Sequence, residues 1–183
     1  DKLEARKIAR GAGVPLVPGS DQARNPQEAA QLAAQIGYPL LLKASAGGGG
    51  RGIKLVTQPA EIEDTFRTAA AEARAAFGND TLYMERYVGN ARHIEVQILG
   101  DRHGNVIHLG ERDCSLQRRH QKIVEEAPAY AVSPEVRTMI CNAAAKLARS
   151  IGYQSAGTIE FIYDNDTAAF YFLEMNTRIQ VEH

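Results

Sequence analysis

The chain has 183 residues, a formal net charge of −1 and 23% charged residues. This length is enough to bury a hydrophobic core in one domain or two small lobes, and the near-zero charge excludes a global field that would favour nucleic acid or an anionic membrane surface. No apolar run approaches the roughly 20 residues of a membrane span. From the charge and the lack of a span we expect neither a nucleic acid nor a membrane partner. The two cysteines, Cys114 and Cys141, lack metal-ligand spacing, so we expect a reduced, cytoplasmic-type protein.

The first half of the sequence predicts helices beside a short sheet. Prolines, glycines and Asn25 mark where these elements begin and end, and the apolar run PLLLKAS is typical of a buried strand. In chain order the predicted elements are a helix over 1–10, an extended connector over 14–20, a helix over 25–37, strands over 39–45 and 53–57, a helix that begins at Pro59 and a strand over 81–88.

The second half predicts antiparallel hairpins around one helix. In chain order its predicted elements are strands over 93–101 and 105–115, a helix that begins at Ser133, and strands over 156–164 and 169–176. The polar turn Asn165-Asp166-Thr167 joins the last two strands. Helices and mainly antiparallel hairpins in two groups indicate an α+β fold, and we expect the boundary between the groups near Val88.

A glycine-rich segment, KASAGGGGRG (43–52), connects the predicted strands over 39–45 and 53–57. Gly47, Gly49 and Gly52 match the spacing G-x-G-x-x-G, but that fingerprint requires a helix next, and here the strand-like IKLVT follows, so a dinucleotide-binding fold is disfavoured. A glycine-rich loop between strands can instead surround phosphates with backbone N–H groups, with Lys43 at its entrance. The alternative is a flexible loop without a ligand.

Acidic side chains converge in the last predicted hairpin. If Thr167 is at its centre, Glu160 and Glu174 lie opposite each other on one face, and Asn176 continues that face. Two facing carboxylates repel unless a cation lies between them, and Glu, Glu and Asn oxygens suit Mg²⁺ or Mn²⁺. The same face is predicted to carry three apolar side chains that bury it in part: Ile162, Phe170 and Phe172. The alternative is a solvated polar face.

The final residues, TRIQVEH, extend this alternation with Arg178, Gln180 and Glu182. An arginine beside a carboxylate is usually an ion pair. Next to a metal–phosphate site, however, an arginine can hold a small oxyanion while a glutamate removes a proton. Spacing by itself leaves both interpretations open.

A basic cluster occurs in QRRHQK (117–122) and contains four basic side chains: Arg118, Arg119, His120 and Lys122. Nucleic-acid binding would require interleaved aromatic residues and a wider basic face. We therefore expect a local anion site or a solvated face. His93, at the start of a predicted strand, is by itself most simply a structural histidine.

With these residues in view, the chain resembles the ATP-grasp region of biotin carboxylases, the component shared by acetyl-CoA, propionyl-CoA, methylcrotonyl-CoA, pyruvate and urea carboxylases. The motifs that carry the resemblance occur in order along the chain: KASAGGGGRG, YMERYV, ARHIEVQILGD, GERDCSLQRRHQK, EEAPA, GTIEF and FLEMNTRIQVEH. The resemblance implies an ATP-grasp fold with a small lid lobe and part of a larger antiparallel-sheet catalytic lobe. It assigns 1–13 to an N-terminal connecting helix, 14–87 to the lid and 88–183 to the partial catalytic lobe.

The resemblance also implies a role for particular residues. The metal ligands would be Glu160, Glu174 and Asn176, and the catalytic residues Glu182 as the base with Arg178 and Lys122. Bicarbonate would be bound by Lys122, Arg178, Gln180 and the backbone of Val181. ATP would be bound by Lys2, Lys43, Gly47, Gly48, Gly49, Gly50, Gly52, Ile53, Glu85, Val88, His93, Gln117, His120, Ile162 and Leu173.

The implied enzyme is an ATP-dependent ligase that uses MgATP (or MnATP) and bicarbonate to carboxylate biotin through carboxyphosphate. Its partners would be a biotin carboxyl carrier protein or domain and a carboxyltransferase component, in a homodimer or a larger carboxylase. We expect the chain to be a segment of a longer protein and incomplete for the full reaction. Two alternatives are another ATP-grasp ligase, such as half of a carbamoyl-phosphate synthetase large chain, and a nucleotide-binding fragment without turnover.

Overall fold

A computed structural model of the chain describes residues 2–47, 51–119 and 121–180. Helices and strands alternate along it, and their bounds are α1 Lys2–Gly11, β1 Gly19–Ala23, α2 Pro26–Ile36, β2 Leu40–Ala44, β3 Ile53–Val56, a 3₁₀ turn Pro59–Glu61, α3 Ile62–Phe77, β4 Leu82–Arg86, β5 Ala91–Gly100, β6 Val106–Arg118, β7 Gln121–Glu126, α4 Pro134–Ser150, β8 Ser155–Asp164 and β9 Phe170–Asn176. The α+β composition predicted from the sequence is confirmed.

The described residues divide into two compact units. The first contains residues 2–4 and 17–88, and the second contains 5–16 and 89–180. Each unit has its own antiparallel sheet and its own hydrophobic core. Within the described residues, no helix combines the length and the apolar character needed to cross a membrane.

In the first unit, a sheet in the order β1-β4-β2-β3 packs against α2 and α3. The core consists of one face of β2 and β4 together with the apolar stripes of the two helices, and its larger members are Leu40, Leu42, Val56, Ile62, Phe66, Leu82 and Met84. The strand β1 was not predicted, because its sequence GSDQA is polar and lacks an apolar alternation. Its pairing with β4 is therefore set by tertiary structure.

The second unit is built on a sheet in the order β7-β6-β5-β8-β9. Alternate residues of β5 and β8 point to opposite faces. Apolar residues such as Ile94, Ile98 and Phe161 are fully buried in the core, to which α4 contributes Ile140 and Leu147. The polar residues of the same strands lie on the other face, which is where the predicted functional residues of this unit are found.

The last hairpin has the predicted register, with Glu160 opposite Glu174. A β-bulge follows, because the next pair is Phe161 with Phe172. The bulge adds one residue to β9 and reverses the face on which its side chains lie. The prediction that Phe170 and Phe172 share a face with the two glutamates is therefore wrong, since both phenylalanines are in the core.

Candidate functional site

A row of charged side chains crosses four strands of the second unit. Register places Arg112 of β6 opposite Glu95 of β5, Glu95 opposite Glu160 of β8, and Glu160 opposite Glu174 of β9. Direct cross-strand neighbours have side chains close enough to interact. The row therefore gathers three carboxylates and a guanidinium on one face of the sheet.

Glu95 is the most deeply buried member of this row, with no exposed surface. Its carboxylate accepts a hydrogen bond of 2.8 Å from Nε of Arg112 and is also contacted by the ammonium group of Lys122. Arg112 lies 3.2 Å from Glu125 as well. Because a buried carboxylate is costly without partners, the two cations explain how Glu95 is accommodated there.

Glu160 is buried and has three polar neighbours. Its Oε1 lies 3.2 Å from Nζ of Lys122 and accepts a 2.9 Å hydrogen bond from Nδ2 of Asn176, while its Oε2 lies 3.0 Å from Nε2 of His93. Burial opposes ionisation of this carboxyl group, but its interactions with His93 and with the charged Lys122 hold its pKa below the ordinary value. Glu160 is therefore an anion in the folded protein at neutral pH.

The orientation of His93 is fixed by Gln117. The side-chain nitrogen of Gln117 donates to the carbonyl oxygen of Cys114 at 2.9 Å and lies 2.8 Å from Nδ1 of His93. A side-chain amide nitrogen is a donor only, so Nδ1 is the acceptor. The other ring nitrogen, Nε2, is the atom that faces Glu160. His93 is thus a residue of β5 that also contacts the charged row, through Glu160.

Lys122 does not belong to an exposed basic cluster with Arg118 and Arg119, as its position in QRRHQK suggested. Its side chain is 17% exposed and contacts Glu95 and Glu160, whereas Arg118 and Arg119 are exposed. Burial lowers the pKa of Lys122, but the hydrogen bond with Glu95 and the charge of Glu160 outweigh it and raise the pKa above its ordinary value. The ammonium group of Lys122 is therefore a permanent cation that contacts two members of the charged row, Glu95 and Glu160.

The donor set fits a divalent cation. Three carboxylates, Glu95, Glu160 and Glu174, lie beside two cations, Arg112 and Lys122, and Arg112 also contacts Glu125, so the carboxylates outnumber the cations. The amide nitrogen of Asn176 is committed to Glu160, which leaves its oxygen as the group suited to a metal ion. Oxygen ligands of this kind are those that Mg²⁺ and Mn²⁺ prefer.

The strand β9 ends at Asn176, so the predicted alternation of Arg178 and Gln180 as strand residues is wrong. Arg178 is exposed, and its guanidinium donates to the carbonyl oxygen of Ile179 at 3.3 Å. Gln180 is buried and accepts a 3.0 Å hydrogen bond from the hydroxyl group of Thr158. Thr158 is the register partner of Asn176, so Gln180 lies near the predicted metal ligands. The other residues predicted here, His120, Val181 and Glu182, lie outside the described part of the chain.

In the first unit, Lys43 and Glu85 form a buried ion pair. The base of the glycine-rich loop is closed by a 2.8 Å hydrogen bond from the backbone nitrogen of Ala44 to the carbonyl oxygen of Gly52. A Cβ atom at Gly47 would lie 2.5 Å from the carbonyl oxygen of Arg51, so this position requires glycine. Gly48, Gly49 and Gly50 are outside the described residues.

The remaining predicted ATP residues are distributed over both units. Ile53 is on β3, Val88 follows β4, Lys2 begins α1, Ile162 is on β8 beside His93, and Leu173 is the extra residue of the bulge. All of them are partly buried.

Two members of the charged row, Glu95 and Arg112, were missed by the sequence analysis. A signal was present, because His93, Glu95 and Gln97 alternate with three aliphatic residues along HIEVQI. Such alternation indicates that the polar residues share one face. What was missing was the pairing of β5 with β8, which places Glu95 opposite the predicted metal ligand Glu160.

Comparison with known proteins decides the family. Residues 1–183 match the family described as carbamoyl-phosphate synthase L chain, ATP binding domain. The chain belongs to this family. Within this ATP-binding family, the chain is 55% identical to biotin carboxylase 2, chloroplastic, of Populus trichocarpa over 184 residues, which are 100% of the chain and 35% of that relative.

Solved structures give the same result. The biotin carboxylase–β,γ-ATP complex from Campylobacter jejuni has a TM-score of 0.95 and 53% identity, and the match covers 100% of the chain and 41% of that protein. The biotin carboxylase domain dimer of Hydrogenobacter thermophilus 2-oxoglutarate carboxylase, in complex with MgADP, ADP and bicarbonate, has a TM-score of 0.93 and 53% identity, with 100% and 40% covered. The ATP-grasp fold and the resemblance to biotin carboxylases are confirmed, and the chain spans 35% to 41% of these three proteins.

Proposed function

We propose that this chain is the ATP-binding segment of a biotin carboxylase, an ATP-dependent ligase that carboxylates biotin on a carrier. The observation that carries the proposal is the charged row of the second unit, in which Lys122 lies between Glu95 and Glu160 and next to the Glu160–Glu174 pair. This arrangement combines oxygen ligands for a metal ion with a permanent cation for a small anion. Similarity to biotin carboxylases over the whole chain supports it.

The proposed reaction has two steps. An oxygen of bicarbonate attacks the γ-phosphorus of ATP, the bond to the β-phosphate oxygen breaks, and ADP and carboxyphosphate result. A bond then forms between the ureido nitrogen of biotin and the carboxyl carbon, the bond from that carbon to the phosphate oxygen breaks, and the departing phosphate takes the proton of the nitrogen. Phosphoryl transfer of this kind depends mainly on position and on neutralisation of charge, so the protein must hold two anions near each other.

The side chains of this segment would divide these tasks. Lys122, Arg178, Gln180 and the backbone of Val181 would bind bicarbonate, and Glu182 would remove its proton. Support for Lys122 comes from its permanent charge beside Glu160, and Gln180 is supported by its link through Thr158 to Asn176. For Arg178, Val181 and Glu182 the support is the match of TRIQVEH to biotin carboxylases. Arg178 is exposed, which suits a residue that closes on a bound anion.

ATP would be held by the residues that the resemblance assigns to it. Lys43, Lys2 and the glycine-rich loop would contact its phosphates, His93, Gln117 and His120 would line the site, and Glu160, Glu174 and Asn176 would hold Mg²⁺ or Mn²⁺. A divalent cation bound there would neutralise phosphate charge. The 2-oxoglutarate carboxylase structure that contains MgADP and bicarbonate supports this assignment by analogy.

The proposed partners are a biotin carboxyl carrier protein or domain and a carboxyltransferase component, with biotin as the carried substrate. We propose a cytoplasmic location, which two free and buried cysteines support. The final carboxyl acceptor is not encoded in this segment, since similar segments occur in a biotin carboxylase and in a 2-oxoglutarate carboxylase.

The test is phosphate release from MgATP by the full-length protein as a function of bicarbonate concentration, with and without free biotin. Glu182→Gln is expected to leave MgATP binding near normal and to reduce bicarbonate-dependent ATP cleavage by roughly 10²–10⁴, the contribution of a positioned base. Arg178→Ala is expected to abolish saturation by bicarbonate at accessible concentrations.

Full bicarbonate-dependent activity in Glu182→Gln would show that Glu182 is only an ion-pair partner. ATP cleavage that requires an amine or ammonia in place of biotin would favour a carbamoyl-phosphate synthetase type of ligase, and tight MgATP binding without turnover in the full-length protein would indicate a nucleotide-binding module.

A further inference from the structure

A buried ion pair lies on the polar face of the sheet in the first unit. Lys43 of β2 and Glu85 of β4 are diagonal neighbours, because register pairs Lys43 with Tyr83 and Leu41 with Glu85. The ammonium group of Lys43 donates a hydrogen bond to the Glu85 carboxylate, and each side chain is 6% exposed. The pair is therefore held by two hydrogen-bonded strands.

The carboxylate has a definite physical effect on the lysine. Burial alone disfavours the charged form of a lysine, whereas an adjacent carboxylate favours it and fixes its direction. An ammonium group has three N–H donors, so its contact with Glu85 uses one of them and leaves it able to bind a further anion. Loss of the carboxylate would leave a buried, uncompensated charge.

We propose that Glu85 is a positioning residue, which holds the ammonium group of Lys43 in place and directs it towards the phosphates of the nucleotide, and that the Glu85 side chain does not itself contact the nucleotide. The proposal rests on the proposed function, in which Lys43 binds ATP phosphates. The resemblance includes Glu85 among the ATP-binding residues, and the proposal makes that contribution indirect, through the ion pair of its carboxylate with Lys43.

The same unit contains a natural control. Lys54 and Glu72 also form an ion pair, but their side chains are 36% and 54% exposed. Exposed pairs contribute little because water and salt screen them. A charge-neutralising change at Glu72 has the same chemistry as one at Glu85 without the burial.

The experiment is a double-mutant cycle in the full-length protein, with calorimetric titration of ATP and of AMP. The variants are Lys43→Met, Glu85→Gln, the double variant and Glu72→Gln. We expect Lys43→Met to weaken ATP binding about tenfold to a hundredfold, as for a charge-assisted contact, and Glu85→Gln about tenfold. AMP, which lacks the terminal phosphates, should change less than about twofold in both. The double variant should bind ATP like Lys43→Met, and Glu72→Gln like the wild type.

Results from Glu85→Gln and from the double variant can overturn the positioning role alone. Equal losses of ATP and AMP affinity in Glu85→Gln would place Glu85 at the adenosine end, and an additive loss in the double variant would mean that Glu85 acts independently of Lys43. If Lys43→Met binds ATP like the wild type, the phosphate role of Lys43 fails and the positioning role fails with it.

Should Glu85→Gln fold poorly, Glu85→Asp retains the charge at a shorter reach and is expected to show a smaller loss for ATP, again with AMP unchanged. An equal loss for AMP in Glu85→Asp would also contradict the proposal.

Discussion

At the scale of single residues, the charged row differs from the metal site that the sequence predicted. The prediction rested on repulsion between Glu160 and Glu174 that a metal ion would relieve. The structure shows that Lys122 and His93 already compensate Glu160. A bound cation is therefore not needed to keep Glu160 ionised. A cation at this site would instead neutralise charge on the phosphates of a bound nucleotide. Glu174, which is less buried, becomes the more informative residue to change.

Glu174→Gln is expected to weaken binding of MgATP to the full-length protein by at least the roughly 10–100-fold that changes around metal sites cost. The apo protein should melt at nearly the same temperature, because Glu174 is only partly buried and its substitution removes a like-charge neighbour of Glu160. Calorimetric titration with MgATP and a melting curve check both statements. Glu126→Gln, an exposed carboxylate on β7, is the control, and unchanged affinity in Glu174→Gln would remove this residue from the metal site.

Both cysteines are expected to resist thiol reagents while the protein is folded. Burial and the charge of Glu111 raise the pKa of Cys141 to about 11, and burial and the charge of Glu95 raise the pKa of Cys114 further. Only the thiolate reacts, so at pH 8 roughly one Cys141 in a thousand is reactive, and this fraction rises with pH. Alkylation followed by peptide mass mapping should show slow labelling of both sites until denaturant is added. Rapid labelling of either site at pH 8 would contradict their buried environment.

At the scale of elements, the close approach of β8, β9 and the segment after α4 determines where Asn176 lies. Gly157 on β8 faces the carbonyl oxygen of Asn176 and the hydroxyl group of Tyr153, and a Cβ atom would lie 2.7 Å from each. Real Cβ atoms do not approach so closely, so a side chain at this position requires both neighbours or the backbone of β8 to shift. The end of β9 is thus positioned by the absence of a side chain on β8.

Gly157→Ala is therefore expected to lower stability by about 1–3 kcal/mol, the usual cost of overpacking, and to weaken MgATP binding because Asn176 moves. Gly11→Ala is the matched control, since a Cβ atom at Gly11 meets nothing within 4 Å. That change at the end of α1 should be neutral or stabilising by about 0.5–1 kcal/mol. Denaturant unfolding and nucleotide titration provide the two measurements, and equal behaviour of the two variants would show that the contact at Gly157 is relaxed without consequence.

The helix α2 begins with a side-chain cap. The Oδ1 atom of Asn25 accepts a 2.8 Å hydrogen bond from the backbone nitrogen of Glu28, and the Glu28 carboxylate accepts one from the backbone nitrogen of Arg24. Asn25→Ala is expected to destabilise this unit by about 1 kcal/mol. Gln27→Ala, at an exposed position of the first turn, should change stability by less than about 0.5 kcal/mol. Hydrogen exchange of the α2 amides distinguishes the two, and no change in Asn25→Ala would mean that solvent replaces the cap without cost.

At the scale of the whole molecule, each of the two units has its own core. A substitution in one core is therefore expected to destabilise mainly the unit that contains it. Leu42 is fully buried in the first unit, and Leu42→Ala is expected to cost about 2–5 kcal/mol. Hydrogen exchange should show faster exchange over residues 17–88, while the amides of β5 and β8 keep their protection. Leu147→Ala in the second unit is the reciprocal variant. If either substitution weakened both units equally, the two would unfold as one cooperative body.

Much of the fold was accessible from the sequence because it is encoded locally. The caps and stops of α2 and α4, the polar turn before β9 and the alternation in β5 each follow from a few neighbouring residues. Consequently we could derive the pairing of Glu160 with Glu174 by counting residues from the turn. The predicted metal site depends mainly on this pairing. The ordered motifs that identify the ATP-grasp region of biotin carboxylases are also a property of the sequence alone.

Tertiary structure decided what depends on partners distant in the chain. The pairing of β5 with β8 brings Glu95 to Glu160, and β7 carries Lys122 between them. Neither contact leaves a local signal, because each joins residues separated by tens of positions. The bulge after Glu160 reversed the face of Phe170 and Phe172 for the same reason, since a period-two pattern cannot reveal an inserted residue. The sequence by itself therefore determined most of the elements, the family and the acidic pair, whereas only the folded sheet determined the strands β1 and β7 and the charges that surround that pair.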